Sequence, residues 1–154
     1  QGIELEGTYS PMSLPDLVLT GAYNYLDTEQ LDGEFAGNEL AYVSKHQLSA
    51  SALYSIKDVD LGLMAFYYSK SFADLANTVE ENVSGTSGEV PAYTVVNFNI
   101  GTEFFKQDNH GLKVGLSVNN LFDNEYYFRG LDVSPAGRVP ASGRSLSLDV
   151  GYTF

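Results

Sequence analysis

Apolar and polar residues alternate with a period of two in segments spread along this 154-residue chain, and this feature most limits how the chain can fold. Successive side chains of a β-strand point to opposite faces, so each such segment has one apolar and one polar face. The pattern is clearest at residues 146–154, which read LSLDVGYTF. It occurs in seven segments, at residues 3–9, 17–25, 47–54, 59–67, 96–104, 112–118 and 146–154. The sequence therefore predicts an all-β protein.

Composition excludes several classes of function. The chain has no cysteine, so it can form neither a disulfide framework nor a thiolate metal site. Its net charge of −12 argues against binding nucleic acid through a basic surface. The two histidines, His46 and His110, stand alone, and no nucleophile, phosphate-loop or zinc-protease motif is present. We expect no enzyme activity, no catalytic residue, no metal and no cofactor.

The connections between the segments alternate in length. Short connections lie at residues 11–16, 56–58 and 106–111, whereas long ones span residues 27–46, 69–92 and 120–143. Outer-membrane barrels have this asymmetry, with tight periplasmic turns and long extracellular loops, and strands of about ten residues cross the bilayer. The pattern predicts an antiparallel transmembrane β-barrel, with Phe154 at the periplasmic end.

The two faces also fit a barrel. Carboxylates on the polar face would cost several kcal/mol each if buried without partners, but they are tolerated in a wide polar lumen. The polar face carries five carboxylates and one lysine, Lys113. The carboxylates are Glu4, Glu6, Asp60, Glu103 and Asp149. Basic partners for them must therefore come from outside this sequence. Aromatic residues predict two interfacial girdles, with Tyr9, Tyr54, Phe104, Phe105 and Phe154 at the short-turn side and Tyr23, Tyr25, Tyr67 and Tyr93 at the long-loop side.

Specific motifs accompany this pattern near the C-terminus. Residues 118–127 read VNNLFDNEYY, Gly143 and Arg144 follow downstream, and residues 2–6 read GIELE. Together with the terminal strand ending in phenylalanine, they resemble TonB-dependent outer-membrane receptors over essentially the whole chain. Residues 127–144 are similar to those of receptors for ferric citrate or other ferric siderophores.

The resemblance implies a 22-stranded barrel plugged by an N-terminal domain. Residues 1–154 would then be about seven strands of the C-terminal portion, with the plug domain and the earlier strands absent. The implied function is active import of a ferric chelate across the outer membrane of a Gram-negative bacterium, by TonB-coupled gating of the plug. The implied partners are the ferric chelate, the rest of the barrel and plug, the TonB complex, the barrel-assembly machinery and lipopolysaccharide.

Three arginines, Arg129, Arg138 and Arg144, lie in or beside the last long loop. Because arginine binds carboxylates through paired hydrogen bonds, these residues and the neighbouring Tyr127 are candidate contacts for an anionic chelate. Arg144 shares the parity of the apolar face, which favours lipopolysaccharide as its partner. The first two long loops are acidic, and we expect their carboxylates to be solvated.

Two other readings remain open from the residues. A small complete barrel, with an eighth strand within residues 126–133, would act as an adhesin, a structural protein or a membrane enzyme. A soluble carbohydrate-binding sandwich would also alternate, but it would not need detergent for extraction.

The terminal strand generates a first prediction. Tyr152 and Phe154 form the alternating aromatic ending that serves as a membrane-assembly signal in this interpretation. Deletion of Phe154 is expected to reduce the fraction of the protein that inserts into outer membranes. Normal insertion of the deletion variant would contradict the signal role.

Overall fold

Seven long antiparallel strands form one sheet in the computed structural model, which describes residues 1–107, 110–129 and 137–154. In chain order the strands are β1 (Gly2–Tyr9), β2 (Leu17–Leu26), β3 (His46–Ile56), β4 (Val59–Tyr68), β5 (Ser71–Phe72), β6 (Glu89–Val90), β7 (Tyr93–Gln107), β8 (His110–Asn119), β9 (Tyr127–Arg129), β10 (Arg138–Pro140) and β11 (Ser145–Thr153). The large sheet has the order β1-β2-β3-β4-β7-β8-β11. All seven predicted segments are strands of this sheet. None of the described residues belongs to a helix that could cross a membrane.

The strand register places most apolar residues of the seven strands on one continuous face, with Val18, Leu53, Met64, Phe66 and Val95 among the exceptions on the other face. One row of cross-strand partners runs Leu61, Ile100, Leu116 and Leu148, and the next runs Leu63, Phe98, Val118 and Leu146. The opposite face carries the polar residues, among them the row Glu4, Asn24 and Gln47. A one-residue slip would exchange the two faces, so the alternation in the sequence fixes the register.

The sheet has no hydrophobic core of its own. Among the described residues, the buried apolar side chains are Ala73 and Val90, and both lie in a connection outside the sheet. On the outer strands Leu5 is 61% exposed and Leu148 is 68% exposed. A continuous apolar face of this size is not stable in water. It is stable in the hydrocarbon of a bilayer.

The connections divide between the two ends of the sheet as predicted. Lys57 and Asp58 alone join β3 to β4, and Lys57 has a positive φ of 55°, as tight two-residue hairpin turns require. The β7–β8 pairing shifts in register between Phe104 and Gln107, and residues 108 and 109 of that connection lie outside the described residues. The three long connections all leave the opposite end.

Two details differ from the sequence-based expectations. Tyr93 pairs with Tyr68 and not with Tyr67, so it extends the row of polar-face residues and is not part of the lipid-facing girdle. Residues 127–129 form β9, which pairs with β10 in a separate ribbon and does not add a strand to the sheet. The remainder of the segment considered as an eighth strand, residues 130–133, and the side chain of the predicted girdle residue Phe105 lie outside the described residues.

A hollow of about 610 Å³ lies on the polar face near the short-turn end. Gly101 and Gly115 face each other at its floor, with Asp60 and Asp149 as their outer partners in the register. Because two successive positions of this row lack side chains, the wall is thin there. Glu103 and Lys113, which are cross-strand partners, lie at the rim together with Gly151.

The two faces of β8 generate a prediction. Leu116→Arg places a charge on the apolar face near the middle of the strand and is expected to lower the free energy of unfolding in lipid vesicles by about 2–4 kcal/mol. Ser117→Arg, on the adjacent polar-face position, is the matched control and is expected to change it by less than about 0.5 kcal/mol. Urea titration of the folded barrel in vesicles measures both. Equal losses for the two variants would contradict the assignment of the faces.

Candidate ligand-binding loops

Three long loops leave the same end of the sheet. We call residues 27–45 the first loop, residues 69–92 the second loop and residues 120–144 the third loop. The second loop contains the ribbon β5–β6 and the third contains the ribbon β9–β10. Hydrogen bonds connect all three loops, so they form one body at this end of the sheet.

An asparagine joins the first loop to the second. The Asn77 side chain accepts a hydrogen bond from the Glu39 backbone N–H at 2.7 Å and donates to the Glu39 carbonyl at 2.9 Å. This reciprocal pair imitates the bonding of a neighbouring strand. Asn38 donates to the Leu75 carbonyl at 2.8 Å. On the first loop, the carboxylate of Glu39 also holds the Lys45 ammonium at 2.7 Å, and that hydrogen bond raises the pKa of Lys45.

Arg129 joins the third loop to the second. Its side chain is only 2% exposed, and its Nη1 and Nη2 atoms donate to the carbonyl oxygens of Gly85 and Glu89 at 2.9 and 3.0 Å. A buried guanidinium needs a counter-charge, and Glu81 of the second loop provides it at 2.8 Å. The Arg129 carbonyl accepts a hydrogen bond from the Tyr42 hydroxyl of the first loop at 2.8 Å. Arg129 is therefore bonded to both other loops.

Arg138 binds the same carboxylate from the outside. Its Nε and Nη2 atoms both contact Glu81 Oε2, the former at 2.9 Å, while half of the Arg138 side chain is exposed. The Tyr127 ring lies beside both guanidinium groups, with its centroid 5.3 Å from Arg129 Cζ and 4.7 Å from Arg138 Cζ. We call Glu81, Tyr127, Arg129 and Arg138 the arginine cluster.

Hydrogen bonds from Arg138 and Arg129 lower the pKa of the Glu81 carboxyl. Glu81 therefore stays ionised at and above the ordinary glutamate pKa. Its ion pairs weaken only as the pH falls through the lowered value. The neighbouring Glu89 carboxylate is occupied elsewhere, since it binds the Lys70 ammonium at 2.7 Å. The expectation of solvated carboxylates in the second loop therefore fails for these two residues.

The NLFD segment organises the start of the third loop. Asn120 is buried, and its amide donates to the carbonyls of Asn124 and Ser142 at 2.9 and 3.3 Å while its Oδ1 accepts from the Asn124 backbone N–H. Asp123 Oδ1 accepts from the backbone N–H of Arg144 at 2.7 Å. These bonds close the two ends of the loop on each other above β8 and β11.

Arg144 itself lies at the base of the third loop. Its guanidinium contacts the Leu121 carbonyl at 3.4 Å and the Asp123 carboxylate at 3.9 Å, and about half of its side chain is exposed. It is separate from the arginine cluster. Its exposed half is available to an external anion.

Four aromatic rings stack at the base of the second and third loops. Tyr93 stacks on Tyr68 with centroids 5.1 Å apart and on Tyr126 with centroids 4.5 Å apart. Phe128 meets the rings of Tyr93 and Tyr126 edge-on. Because Tyr68 and Tyr93 lie on the polar face of the sheet, this stack continues that face towards the loops.

Comparison with known proteins identifies this architecture. Residues 1–121 match the family described as TonB dependent receptor-like, beta-barrel. The chain belongs to this family. A TonB-dependent receptor barrel places the apolar face of the sheet against the lipid of the Gram-negative outer membrane and the polar face towards the lumen. Members of the family are receptors and transporters, not enzymes.

Two curated relatives are each 33% identical to the chain. The ferrichrome outer membrane transporter/phage receptor of Escherichia coli K12 is matched over 82% of the chain and 16% of its own length. The metal-pseudopaline receptor CntO of Pseudomonas aeruginosa is matched over the whole chain and 20% of its own length. The chain thus spans about a fifth of the length of these relatives.

Solved structures share the fold. The unliganded ferric citrate transporter FecA is 25% identical and superposes with a TM-score of 0.88 over 99% of the chain and 23% of the transporter. The ferric preacinetobactin receptor BauA of Acinetobacter baumannii has a TM-score of 0.77 over 99% of the chain and 22% of the receptor, at 22% identity. The sheet and loops of this chain are therefore similar to one part of such receptors.

The structure brings three of the four sequence-predicted ligand residues together. Tyr127, Arg129 and Arg138 share the arginine cluster, whereas Arg144 lies apart. Sequence reasoning missed Glu81, which lies 48 positions before Arg129, because nothing local distinguishes it from the other loop acids. It also missed Tyr42 and Asn77. The structure gives these two residues positive φ values of 62° and 54°, which indicate loop positions under tertiary constraint. No group of three or more metal-binding side chains occurs in the part of the chain that the structure describes.

The Asn120 contacts generate a prediction. Asn120→Asp keeps a residue that tolerates the φ of 50° at this position but removes the two donors to loop carbonyls. Loss of buried hydrogen bonds costs about 1–3 kcal/mol, so amide exchange in the third loop is expected to accelerate by roughly tenfold. Asn119→Asp is the matched control, because the Asn119 amide makes one long bond of 3.4 Å to Ser145. Hydrogen–deuterium exchange compares the two variants. An unchanged exchange rate in the third loop of Asn120→Asp would contradict the role of the Asn120 side chain in holding that loop.

Proposed function

We propose that this chain is the C-terminal part of the barrel wall of a receptor that imports an anionic ferric chelate by TonB-coupled gating. The observation that carries the proposal is the arginine cluster at the loop end of a two-faced membrane sheet. Arginine pairs and tyrosine rings suit ligands with carboxylate or similar oxygen groups. The names of the relatives, a ferrichrome transporter, a metal-pseudopaline receptor and a ferric citrate transporter, support the same class of cargo.

In this proposal Arg138, Tyr127 and Arg144 offer side-chain surface to the chelate, and Arg129 fixes the positions of the loops around them. Arg138 and Arg144 are each about half exposed. The aromatic stack adds a rigid apolar surface at the same end of the sheet. No covalent step is required, because transport needs only binding, release and passage.

The polar face supplies the contact with a plug domain. Its carboxylates outnumber its basic groups, so a basic segment of the plug is the complementary partner. The glycine-floored hollow between Asp60 and Asp149 allows such a segment to approach the wall closely. The outer strands β1 and β11 pair with the remaining strands of the barrel, since open sheet edges are not tolerated in hydrocarbon.

Two further contacts belong to the proposal. Tyr152 and Phe154 stack with centroids 6.1 Å apart at the short-turn end of β11, where the barrel-assembly machinery would bind them. Lipopolysaccharide phosphates would contact the outer surface at the level of the long loops, with Arg144 as one anchor.

Uptake measurements test the proposal. A strain that lacks the complete gene is expected to lose uptake of radioactive iron from ferric citrate or from a ferric hydroxamate, and a protonophore is expected to abolish uptake in the parent strain. Restoration by the plasmid-borne gene is the control. Unchanged uptake from every ferric chelate in the panel would refute the proposed function.

A substitution in the loops tests the site. Arg138→Gln in the complete receptor is expected to weaken binding of the chelate by about tenfold, because it removes a charge-assisted hydrogen-bond donor. Lys106→Gln, beside the short β7–β8 connection, removes the same charge at the other end of the barrel and is expected to leave binding unchanged. Isothermal titration with the purified receptor measures both; equal affinities of the two variants would place the chelate elsewhere.

A further inference from the structure

The arginine cluster is built like an anion site that is already filled. Three nitrogen atoms, Nη2 of Arg129 and both Nε and Nη2 of Arg138, converge on the single oxygen Oε2 of Glu81. The two arginines belong to the third loop, whereas the carboxylate belongs to the second. Glu81 therefore occupies the place that a carboxylate of a soluble ligand would take.

The charges of the cluster are unbalanced. Among the described residues, two guanidinium groups face one carboxylate, which leaves one positive charge in excess. The carboxylate of Glu89, whose main-chain carbonyl also binds Arg129, pairs with Lys70 instead. In addition, the buried Nε of Arg129 has no hydrogen-bond partner among the described residues. A ligand with two or more carboxylates would neutralise the cluster more completely than Glu81 does, and it would find an unused donor.

The same contact holds the two loops together. Gly137 of the third loop has a φ of 65°, and a Cβ at this position would collide with the backbone of Gly85 and Thr86 in the second loop. Removal of Glu81 from the arginines therefore weakens the attachment of the second loop to the third.

We propose that Glu81 is an internal competitor for the carboxylate site of Arg129 and Arg138, so that binding of a polycarboxylate anion breaks the Glu81 ion pairs and loosens the attachment of the second loop to the third. This inference rests on the proposed function, because it describes how the same loops would take an anionic chelate. It adds a role that differs from ligand binding. Glu81 lowers the affinity of the empty receptor and keeps its loops closed until an anion of higher charge arrives.

Variants of neighbouring glutamates test the competition. In the complete receptor, Glu81→Gln is expected to tighten binding of citrate, used without iron, by about three- to tenfold, because the fraction of receptor with free arginines increases. Glu80→Gln, the adjacent exposed glutamate, has the same charge change and is expected to match the parent receptor. Weaker or unchanged citrate binding by Glu81→Gln would overturn the proposal, since Glu81 would then support the site or be irrelevant to it.

A distance measurement tests the loosening of this attachment. The chain has no cysteine, so spin labels attached to Val83→Cys in the second loop and Ser142→Cys in the third report the separation of the loops. Citrate is expected to broaden and lengthen the distance distribution of the parent receptor, and Glu81→Gln is expected to show that change without citrate. A narrow distribution in Glu81→Gln that equals that of Glu80→Gln would overturn the proposal.

A third variant covers the case in which Glu81→Gln does not fold. Gly137→Ala leaves all charges in place but forces the loops apart, and it is expected both to lengthen the label distance and to tighten citrate binding. A longer distance without tighter binding would overturn the competition. These readouts do not involve iron uptake, so their failure is distinct from failure of the proposed function.

Discussion

Hydrocarbon offers no hydrogen-bond partner to a peptide group, and the architecture of the seven-stranded sheet follows from that constraint. Each strand pairs with the next along the sheet, so the backbone is satisfied by ladders and not by water. The apolar face then needs no protein partner, which explains why Leu5 and Leu148 remain largely exposed and why the sheet lacks a core. On the other face, glycine and carboxylate positions leave room for a polar occupant.

Outside the membrane the same backbone groups must be satisfied differently. The loops are too irregular for continuous ladders, and side chains take over: Asn77 bonds both backbone groups of Glu39, Asn120 caps two carbonyls, and Arg129 holds two more. These contacts connect loops that are far apart in the sequence. They join three loops into one extracellular body with a defined surface.

The sequence was sufficient for the strands, their faces and the side on which the long loops lie, because these depend on local alternation and connection length. It failed where a residue's role depends on a distant partner. The sequence around Tyr93 does not show which face of the sheet its side chain lies on. Only the pairing of Tyr93 with Tyr68 places it on the polar face. Arg129 and Glu81 have the same local context as other loop charges. Their burial and pairing arise from the packing of two loops, and no pattern within either loop encodes that contact.

The bonds that Arg129 makes to the second loop have a consequence for how this surface can vary. Apart from Glu81, Arg129 binds the second loop through the main-chain carbonyls of Gly85 and Glu89, which every amino acid possesses. Most side chains of that loop can therefore be exchanged without dismantling the attachment. The exposed residues of the second loop can in this way change while one buried arginine preserves the shape of the loops.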